Sequence, residues 1–224
     1  MKYTVIIPAA GLGARMNLGY NKVLLNICDQ PVIKRTVQQF VKDPDCQAIH
    51  LAVRQEEVES MTELFEDEEK VVGIHVGGKE RQDSIYNALV NVEAEYIFVH
   101  DGARPLVDQA IIARLKDKVV NHPAVICGVK TKDTLKRVAN NEVTDTLDRE
   151  EIISVHTPQA FKGDLLKRAY EHARARNLTV TDDSMMVEAL GQTVFVTESS
   201  YDNIKLTTIE DVRLAEMILG GKTE

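Results

Sequence analysis

Tryptophan is absent from this 224-residue chain, and aromatic residues of every kind make up only 5% of it. Any core must be aliphatic, and a hydrophobic content of 44% is enough to bury a sizeable one. The three cysteines, Cys28, Cys46 and Cys127, are odd in number and far apart. That excludes a disulfide framework or a CxxC metal site and predicts buried thiols. No apolar run approaches the ~20 residues of a membrane span. The stretch 5–10 contains Pro8 and is too short for the apolar region of a signal peptide, so the chain reads as cytoplasmic. A basic surface is also lacking. With a formal net charge of -8, general attraction to nucleic acid or anionic membrane is excluded, and an anionic small molecule must be met by locally clustered Lys and Arg. Repeats, low-complexity segments and linkers are missing too, which predicts a single domain over 1–224.

What the chain does have is an opening of unusual chemical content. Val5-Ile6-Ile7-Pro8-Ala9-Ala10-Gly11-Leu12-Gly13-Ala14-Arg15-Met16, with Lys22 beyond it, runs from a β-branched strand into small residues and two glycines. Glycine backbone can approach a ligand and aim its amides at phosphate oxygens, while Arg15 and Lys22 supply full charges. Two familiar versions of such a loop are disfavoured. Met16 stands where the dinucleotide fingerprint needs its third glycine, and no Gly-Lys-Ser/Thr ending of a P-loop follows. A plain strand-to-loop turn is the alternative reading of Gly11 and Gly13 alone.

Apolar runs and helical periodicities then alternate. Strands are predicted at 3–7, 48–53, 74–76, 96–99 and 124–129, with helices at 32–41, 56–65, 84–92 and 111–120 between them. This βαβ series implies an α/β, Rossmann-like fold, a mostly parallel sheet covered by helices on both faces, with ligands outside the carboxyl ends of its strands. Stretches 134–138 and 143–147 flank Ala139-Asn140-Asn141-Glu142 as a hairpin with little core to join. The segment 132–149 therefore reads as a protruding arm, a candidate for dimerisation. Helices at 164–176 and 184–190, a strand at 193–197 and a helix at 210–219 complete the chain, Thr207 and Glu210 resembling a capping box.

Three further segments carry chemistry. His100-Asp101-Gly102-Ala103-Arg104-Pro105 follows the apolar run 96–99, which puts Asp101 on the same sheet rim as the opening loop, where it can face a metal-bound phosphate or simply cap a turn beside Arg104. Gly77-Gly78-Lys79-Glu80-Arg81-Gln82-Asp83-Ser84 ends a strand in a glycine pair that lets a base or ribose lie against the backbone, or forms a turn with Ser84 beginning a helix. Asn203-Ile204-Lys205-Leu206-Thr207 sets Lys205 between apolar neighbours, where a solvated lysine is the default reading.

Taken in order, these segments resemble the 2-C-methyl-D-erythritol 4-phosphate cytidylyltransferase family. The resemblance runs through 8–16, Gly77-Gly78 with Arg81-Gln82-Asp83-Ser84, 99–105, Asp133-Thr134, Thr157-Pro158-Gln159-Ala160-Phe161, Thr181-Asp182-Asp183 and Asn203-Ile204-Lys205. It implies a nucleotidyltransferase that joins CTP to 2-C-methyl-D-erythritol 4-phosphate and releases pyrophosphate, with Mg²⁺ or another divalent cation as cofactor. By the same resemblance Arg15, Lys22 and Lys205 are catalytic cations. Ala9, Ala10, Gly11, Gly13, Gly78, Lys79 and Ser84 bind the nucleotide. Asp101, Arg104, Thr157 and Thr181 line the acceptor side, Asp101 also facing the metal, and Arg149 reaches in from the hairpin of a second subunit. The chain departs from the family's usual pattern at Asn21-Lys22-Val23, where Pro-Lys-Gln is usual, and at Lys130-Thr131-Lys132, where Pro-Val precedes Asp-Thr. These changes bear on the rigidity of the Lys22 loop and on the hairpin base. Ribitol 5-phosphate cytidylyltransferases share the motifs but usually carry Ser-Val where this chain has Gly102-Ala103. A catalytically silent nucleotide-binding regulator is the alternative outside enzymes, and retention of Arg15, Lys22 and Lys205 argues against it.

Overall fold

The computed structural model describes residues 1–11, 16 and 19–221. In chain order the elements are β1 (Tyr3–Pro8), β2 (Asn26–Ile27), β3 (Gln30–Pro31), α1 (Val32–Val41), β4 (Cys46–Val53), α2 (Val58–Leu64), β5 (Val71–Val76) and α3 (Arg81–Leu89). They continue with β6 (Tyr96–Val99), α4 (Gln109–Val119), β7 (Ala124–Lys130), β8 (Lys136–Ala139), β9 (Glu142–Thr146), β10 (Ile153–Lys162), α5 (Gly163–Ala175), α6 (Ser184–Ala189), β11 (Phe195–Glu198) and α7 (Ile209–Gly220). Seven strands form one sheet in the order β11-β7-β10-β6-β1-β4-β5. All run parallel except β10, which is antiparallel to both its neighbours.

Alternation along β1 explains how both faces are covered. Val5 and Ile7 point to a cluster with Val37 and Phe40 of α1 and Ile111, Ile112 and Leu115 of α4. Ile6 points the other way, to Ile85 and Ala88 of α3 and Leu166, Ala169 and Tyr170 of α5. Each fully buried Ile or Leu stabilises the fold by about 1.5–3 kcal/mol, and α7 closes a smaller cluster of Ile27, Val32, Leu106, Leu206 and Val212.

The connection from β1 leads to β4 on one side, whereas β6 lies on its other side. This reversal opens a crevice beyond the carboxyl ends of β1 and β6, where open α/β sheets bind ligands. The loop after Pro8 and the His100-Asp101 turn both border it. Two backbone bonds, His100 N to Ile6 O at 3.0 Å and Gly102 N to Pro8 O at 3.2 Å, hold those loops together.

Several local expectations need correction. Strand β10 has no counterpart in the sequence reading: Pro158 cannot donate to a ladder, and the pairing register shifts between His156 and Gln159. Helix α3 starts at Arg81 rather than Ser84, because Glu80 and Asp83 form a reciprocal capping box one turn earlier. The last helix is likewise capped by Thr208 and Asp211, one residue beyond Thr207 and Glu210. Cys46 and Cys127 are buried, but Cys28 is exposed. It sits at the tip of the tight β2–β3 turn, where Cys28 and Asp29 have φ of 44 and 62.

The expected hairpin is present as a separate two-stranded ribbon of β8 and β9. Asn140 and Asn141, at φ of 51 and 63, make its two-residue turn, since asparagine tolerates the left-handed region. Every residue of both strands is exposed.

Candidate active site

Two cavities open on the crevice. The first, of about 370 Å³, is lined by Ala9, Ala10 and Gly11 from the opening loop, Gly78, Lys79 and Ser84 from the β5–α3 turn, and Lys22, Asp101 and Lys205. The second, of about 430 Å³, is lined by Arg104, His156, Thr157, Gln159, Thr181 and Asp182 among others. Arg81, Asp101 and Lys205 border both, so these three side chains form the seam between them.

The local packing shows how each wall is built. At Gly77 a Cβ would come within 2.5 Å of the Ala10 Cβ. At Gly78 it would strike Asp83. Gly77 is thus required by the close approach of the opening loop and Gly78 by the tight turn into α3, while Gly78 also lines the cavity. Among the described residues a Cβ on Gly11 would meet nothing within 4 Å. Ser84 lines the cavity, but its buried hydroxyl accepts from Gly78 N at 3.0 Å and donates to Glu80 O at 3.1 Å. These two bonds brace the turn and fix where Ser84 meets the cavity. Gly13 and Arg15 lie outside the described residues.

Lys22 begins a short 3-10 turn whose N-cap is Asn21. The buried Asn21 amide accepts from Val23 N at 3.3 Å and donates to Ala9 O at 2.6 Å and to Glu57 Oε2 at 2.9 Å. Where the family usually has proline, a hydrogen-bonded asparagine fixes the loop. Lys22 Nζ reaches across to Leu206 O at 2.6 Å, which ties the opening loop to the segment that carries Lys205. The other departure is anchored as well. Lys130 pairs with Glu150 at 2.7 Å, Lys132 lies 3.7 Å over the Tyr201 ring, and Tyr201 donates to Lys130 O at 2.8 Å.

Asp101 is the electrostatic centre of the seam. Its carboxylate meets Arg81 Nε at 3.0 Å, Lys205 Nζ at 2.8 Å and Arg104 Nε at 3.6 Å. Burial alone would raise its pKa, but the charges of Arg81, Lys205 and Arg104 outweigh that and hold it far below the usual carboxylate range. Arg104 is itself buried and donates to Asn203 O at 2.7 Å, and Asn203 in turn donates to Thr157 O at 2.9 Å. Thr157 Oγ1 accepts from Asp101 N at 3.0 Å and lies 3.1 Å from His100 Nδ1. Burial lowers the pKa of His100 to about 4, so this ring is a neutral strut under the seam.

Among the described residues the first cavity carries four cations, Lys22, Lys79, Arg81 and Lys205, against the carboxylates Glu80 and Asp101. In a chain of net charge -8, that local excess of positive charge suits a polyanion. The donor set does not fit a protein-held divalent cation. Among the described residues no three His, Cys, Asp or Glu side chains gather to hold one, and both Asp101 oxygens are taken by cations. A divalent cation at Asp101 would therefore be held together with ligand phosphates and water, the arrangement Mg²⁺ favours.

Of the sequence-predicted residues, the fold brings together Ala9, Ala10, Gly11, Lys22, Gly78, Lys79, Ser84, Asp101, Arg104, Thr157, Thr181 and Lys205. Arg149 lines neither cavity. It is exposed at the hairpin base and donates to Lys132 O at 3.2 Å. Residues that sequence reasoning missed are His156, whose ring lies 3.0 Å from Ser199 Oγ, Gln159, which donates to Asp182 at 2.7 Å, and above all Arg81. It stands inside a quoted motif, but its partners lie as far away as Asp183.

A glycine-lined, cation-rich cavity at the switch point of an α/β sheet, joined to a second polar cavity through shared charged residues, defines a nucleotidyltransferase. The comparisons with known proteins identify the kind. The family model for 2-C-methyl-D-erythritol 4-phosphate cytidylyltransferase matches residues 3–221. A protein of that name from Lysinibacillus sphaericus is 42% identical over 98% of this chain and 96% of its own length, and one from Bacillus cereus is 44% identical over 97% of each. Among solved structures, the 4-diphosphocytidyl-2C-methyl-D-erythritol synthase of Anaerococcus prevotii superposes with a TM-score of 0.87 at 27% identity, covering 98% of both chains. The cytidylyltransferase of Francisella tularensis gives 0.83 at 30% identity, covering 97% of this chain and 99% of its own. The chain belongs to the 2-C-methyl-D-erythritol 4-phosphate cytidylyltransferase family.

Proposed function

We propose that this chain transfers the cytidylyl group of CTP to 2-C-methyl-D-erythritol 4-phosphate, giving 4-diphosphocytidyl-2-C-methyl-D-erythritol and pyrophosphate in non-mevalonate isoprenoid biosynthesis. The observation that carries this reading is the meeting of two cavities at Arg81, Asp101 and Lys205, which lets a nucleotide and a phosphorylated acceptor touch at one point. An acceptor phosphate oxygen attacks the α-phosphorus. The new P–O bond forms as the bond to the bridging oxygen breaks, and pyrophosphate leaves with the electron pair. The attacking phosphate is mostly ionised at neutral pH, its second pKa being about 6, so no general base is needed. The barrier is the meeting of two anions, and positioning with cationic stabilisation lowers it.

In this reading Gly11 and Lys22 cradle the triphosphate together with Gly13 and Arg15, and Lys205 stabilises the α-phosphate. Arg104, Thr157 and Thr181 bind the acceptor. A divalent cation would be held beside Asp101 chiefly by the nucleotide's phosphates and water, and would supply charge neutralisation of the triphosphate. The protein acts in the cytoplasm, and no helix among the described residues is long and apolar enough to cross a membrane. It works as a homodimer. Val138 and Val143 on the arm are 57% and 62% exposed, and Arg149 is remote from its own chain's cavities, as a residue donated to a partner must be.

Pyrophosphate release measured over four nucleoside triphosphates and a set of polyol phosphates with Mg²⁺ tests the reading. CTP with methylerythritol phosphate should give the highest turnover, and equal or better use of ribitol 5-phosphate would overturn it. Mixing inactive Lys22→Ala and Arg149→Ala chains tests the dimer. Random pairing should restore about one quarter of wild-type activity, and no recovery in confirmed hybrids would remove Arg149 from the partner's site.

A further inference from the structure

The seam is backed by a second layer that the proposed chemistry does not itself use. Arg81 Nη2 donates to Asp183 Oδ2 at 2.8 Å while its Nε donates to Asp101 Oδ1 at 3.0 Å. Tyr170 donates its hydroxyl to the other Asp183 oxygen at 2.5 Å. Asp183 is fully buried, and Tyr170 of α5 packs in the core with Leu166 and Ala169. A single line of charge-assisted bonds therefore runs from the rigid interior to the open site: Tyr170, Asp183, Arg81, Asp101, Lys205.

We infer that Asp183 and Tyr170 are positioning residues for the transfer reaction, which aim the Arg81 guanidinium and, through Asp101, the Lys205 ammonium at the junction of the two cavities. The inference rests on the cytidylyl-transfer reading of that junction. A guanidinium forked between two carboxylates has its plane fixed by both, and Asp183 cannot swing because Tyr170 occupies its second oxygen. Lys205 has a flexible four-carbon stem and a side chain 37% exposed. Its anchor in this line is Asp101, so its position is only as definite as that carboxylate's. Burial raises the Tyr170 pKa well above its ordinary value, with the Asp183 charge adding to the effect, so the hydroxyl remains a donor throughout the working pH range. Loosening the far end of the line should blur the placement of the cation that meets the transition state and leave the nucleotide's other contacts intact.

The experiment is a double-mutant cycle on the full-length enzyme, with kcat, both KM values and thermal melting measured for Tyr170→Phe, Asp183→Asn and the pair. Tyr170→Phe keeps the packed ring and removes only the hydroxyl. We expect kcat to fall about 5-fold for Tyr170→Phe and about 50-fold for Asp183→Asn, with the KM for CTP changed less than about twofold. Because Tyr170 acts only through Asp183, the double variant should match Asp183→Asn alone. Unchanged kcat in both single variants overturns the inference. So do multiplicative effects in the pair, which would mean that Tyr170 does not act through Asp183, or a kcat that recovers fully at a temperature where the variants are as folded as wild type, which would mark a purely structural role. Wild-type turnover in the same assay checks the underlying reaction separately. If the wild type is inactive with every acceptor, the functional reading has failed before any variant is compared.

Discussion

Replacing Asp101 with Asn removes one negative charge from among three cations and leaves the shape of the side chain almost unchanged. Breaking a buried ion pair by removing one partner costs about 3–5 kcal/mol when the other charge is left stranded. Here the loss is cushioned. Arg81 keeps Asp183 at 2.8 Å, Arg104 keeps the Asn203 carbonyl at 2.7 Å, and Lys205 can turn to water. We therefore expect Asp101→Asn to cost about 2–3 kcal/mol, at or below the lower limit of that range. At about 2–4 °C per kcal/mol for a chain of this size, the melting temperature should fall by about 4–12 °C. Turnover should suffer more. An untethered Lys205 gives up the preorganisation that makes an electrostatic stabiliser effective, which predicts a loss of about 10²-fold in kcat. The freed cations also want an anion, so pyrophosphate should raise the melting temperature of the variant more than that of the wild type. Differential scanning fluorimetry with and without pyrophosphate, beside single-turnover kinetics, measures all three. A variant that melts within about 1 °C of wild type and reacts within about threefold of its rate would refute the idea that Asp101 organises the seam.

Other substitutions probe the remaining parts. Lys22→Ala and Lys205→Ala should each slow the chemical step by about 10²-fold or more in single-turnover experiments, with circular dichroism unchanged. Asn21→Ala deletes the bonds to Ala9 O and Glu57. It should cost about 1–3 kcal/mol in urea unfolding and raise the KM for CTP as the Lys22 loop loosens. Acid should destabilise the fold in a defined window. Burial lowers His50, His100 and His156 each to about 4, with the charge of His75 adding for His50 and that of Arg104 for His156. The unfolded chain therefore takes up protons first as pH falls. Stability is complete above about 6.5 and is lost progressively toward 4, by about 3 kcal/mol for fully buried His100 and by less for His156, which is half-buried, and for His50, which is less deeply buried than His100. Urea midpoints at pH 7, 6 and 5 check the direction, and a midpoint that rises on acidification would contradict it.

Much of this molecule is legible in its sequence because its signals are local. Four consecutive apolar residues make β6, and the reading of 32–41 as a helix coincides with α1. Adjacent asparagines place the hairpin turn. The glycine loop and the Asp101 motif both follow strands, so the topology alone brings them to one rim. What escaped depends on distant partners. Strand β10 carries Pro158, His156 and Gln159 in its middle, and only its neighbours β6 and β7 make a strand of it. Arg81 and Asp183 are separated by more than a hundred positions, so nothing near either announces the pairing. Cys28 reads as a core thiol from its neighbours Asn26-Ile27, yet the two-residue turn lifts it into solvent. Ser84 carries the right chemistry for a ligand contact, and only the placement of Gly78 N and Glu80 O shows that its hydroxyl also braces the turn.

The central claim is that cytidylyl transfer takes place where the two cavities meet at Arg81, Asp101 and Lys205. A crystal structure of the enzyme with a non-hydrolysable CTP analogue and 2-C-methyl-D-erythritol 4-phosphate tests it most directly. The account predicts the triphosphate along Gly11 and Lys22, the acceptor beside Arg104 and Thr157, and the acceptor phosphate in line with the α-phosphorus next to Lys205. An acceptor seated outside the second cavity, or an α-phosphate beyond the reach of Lys205, would contradict it.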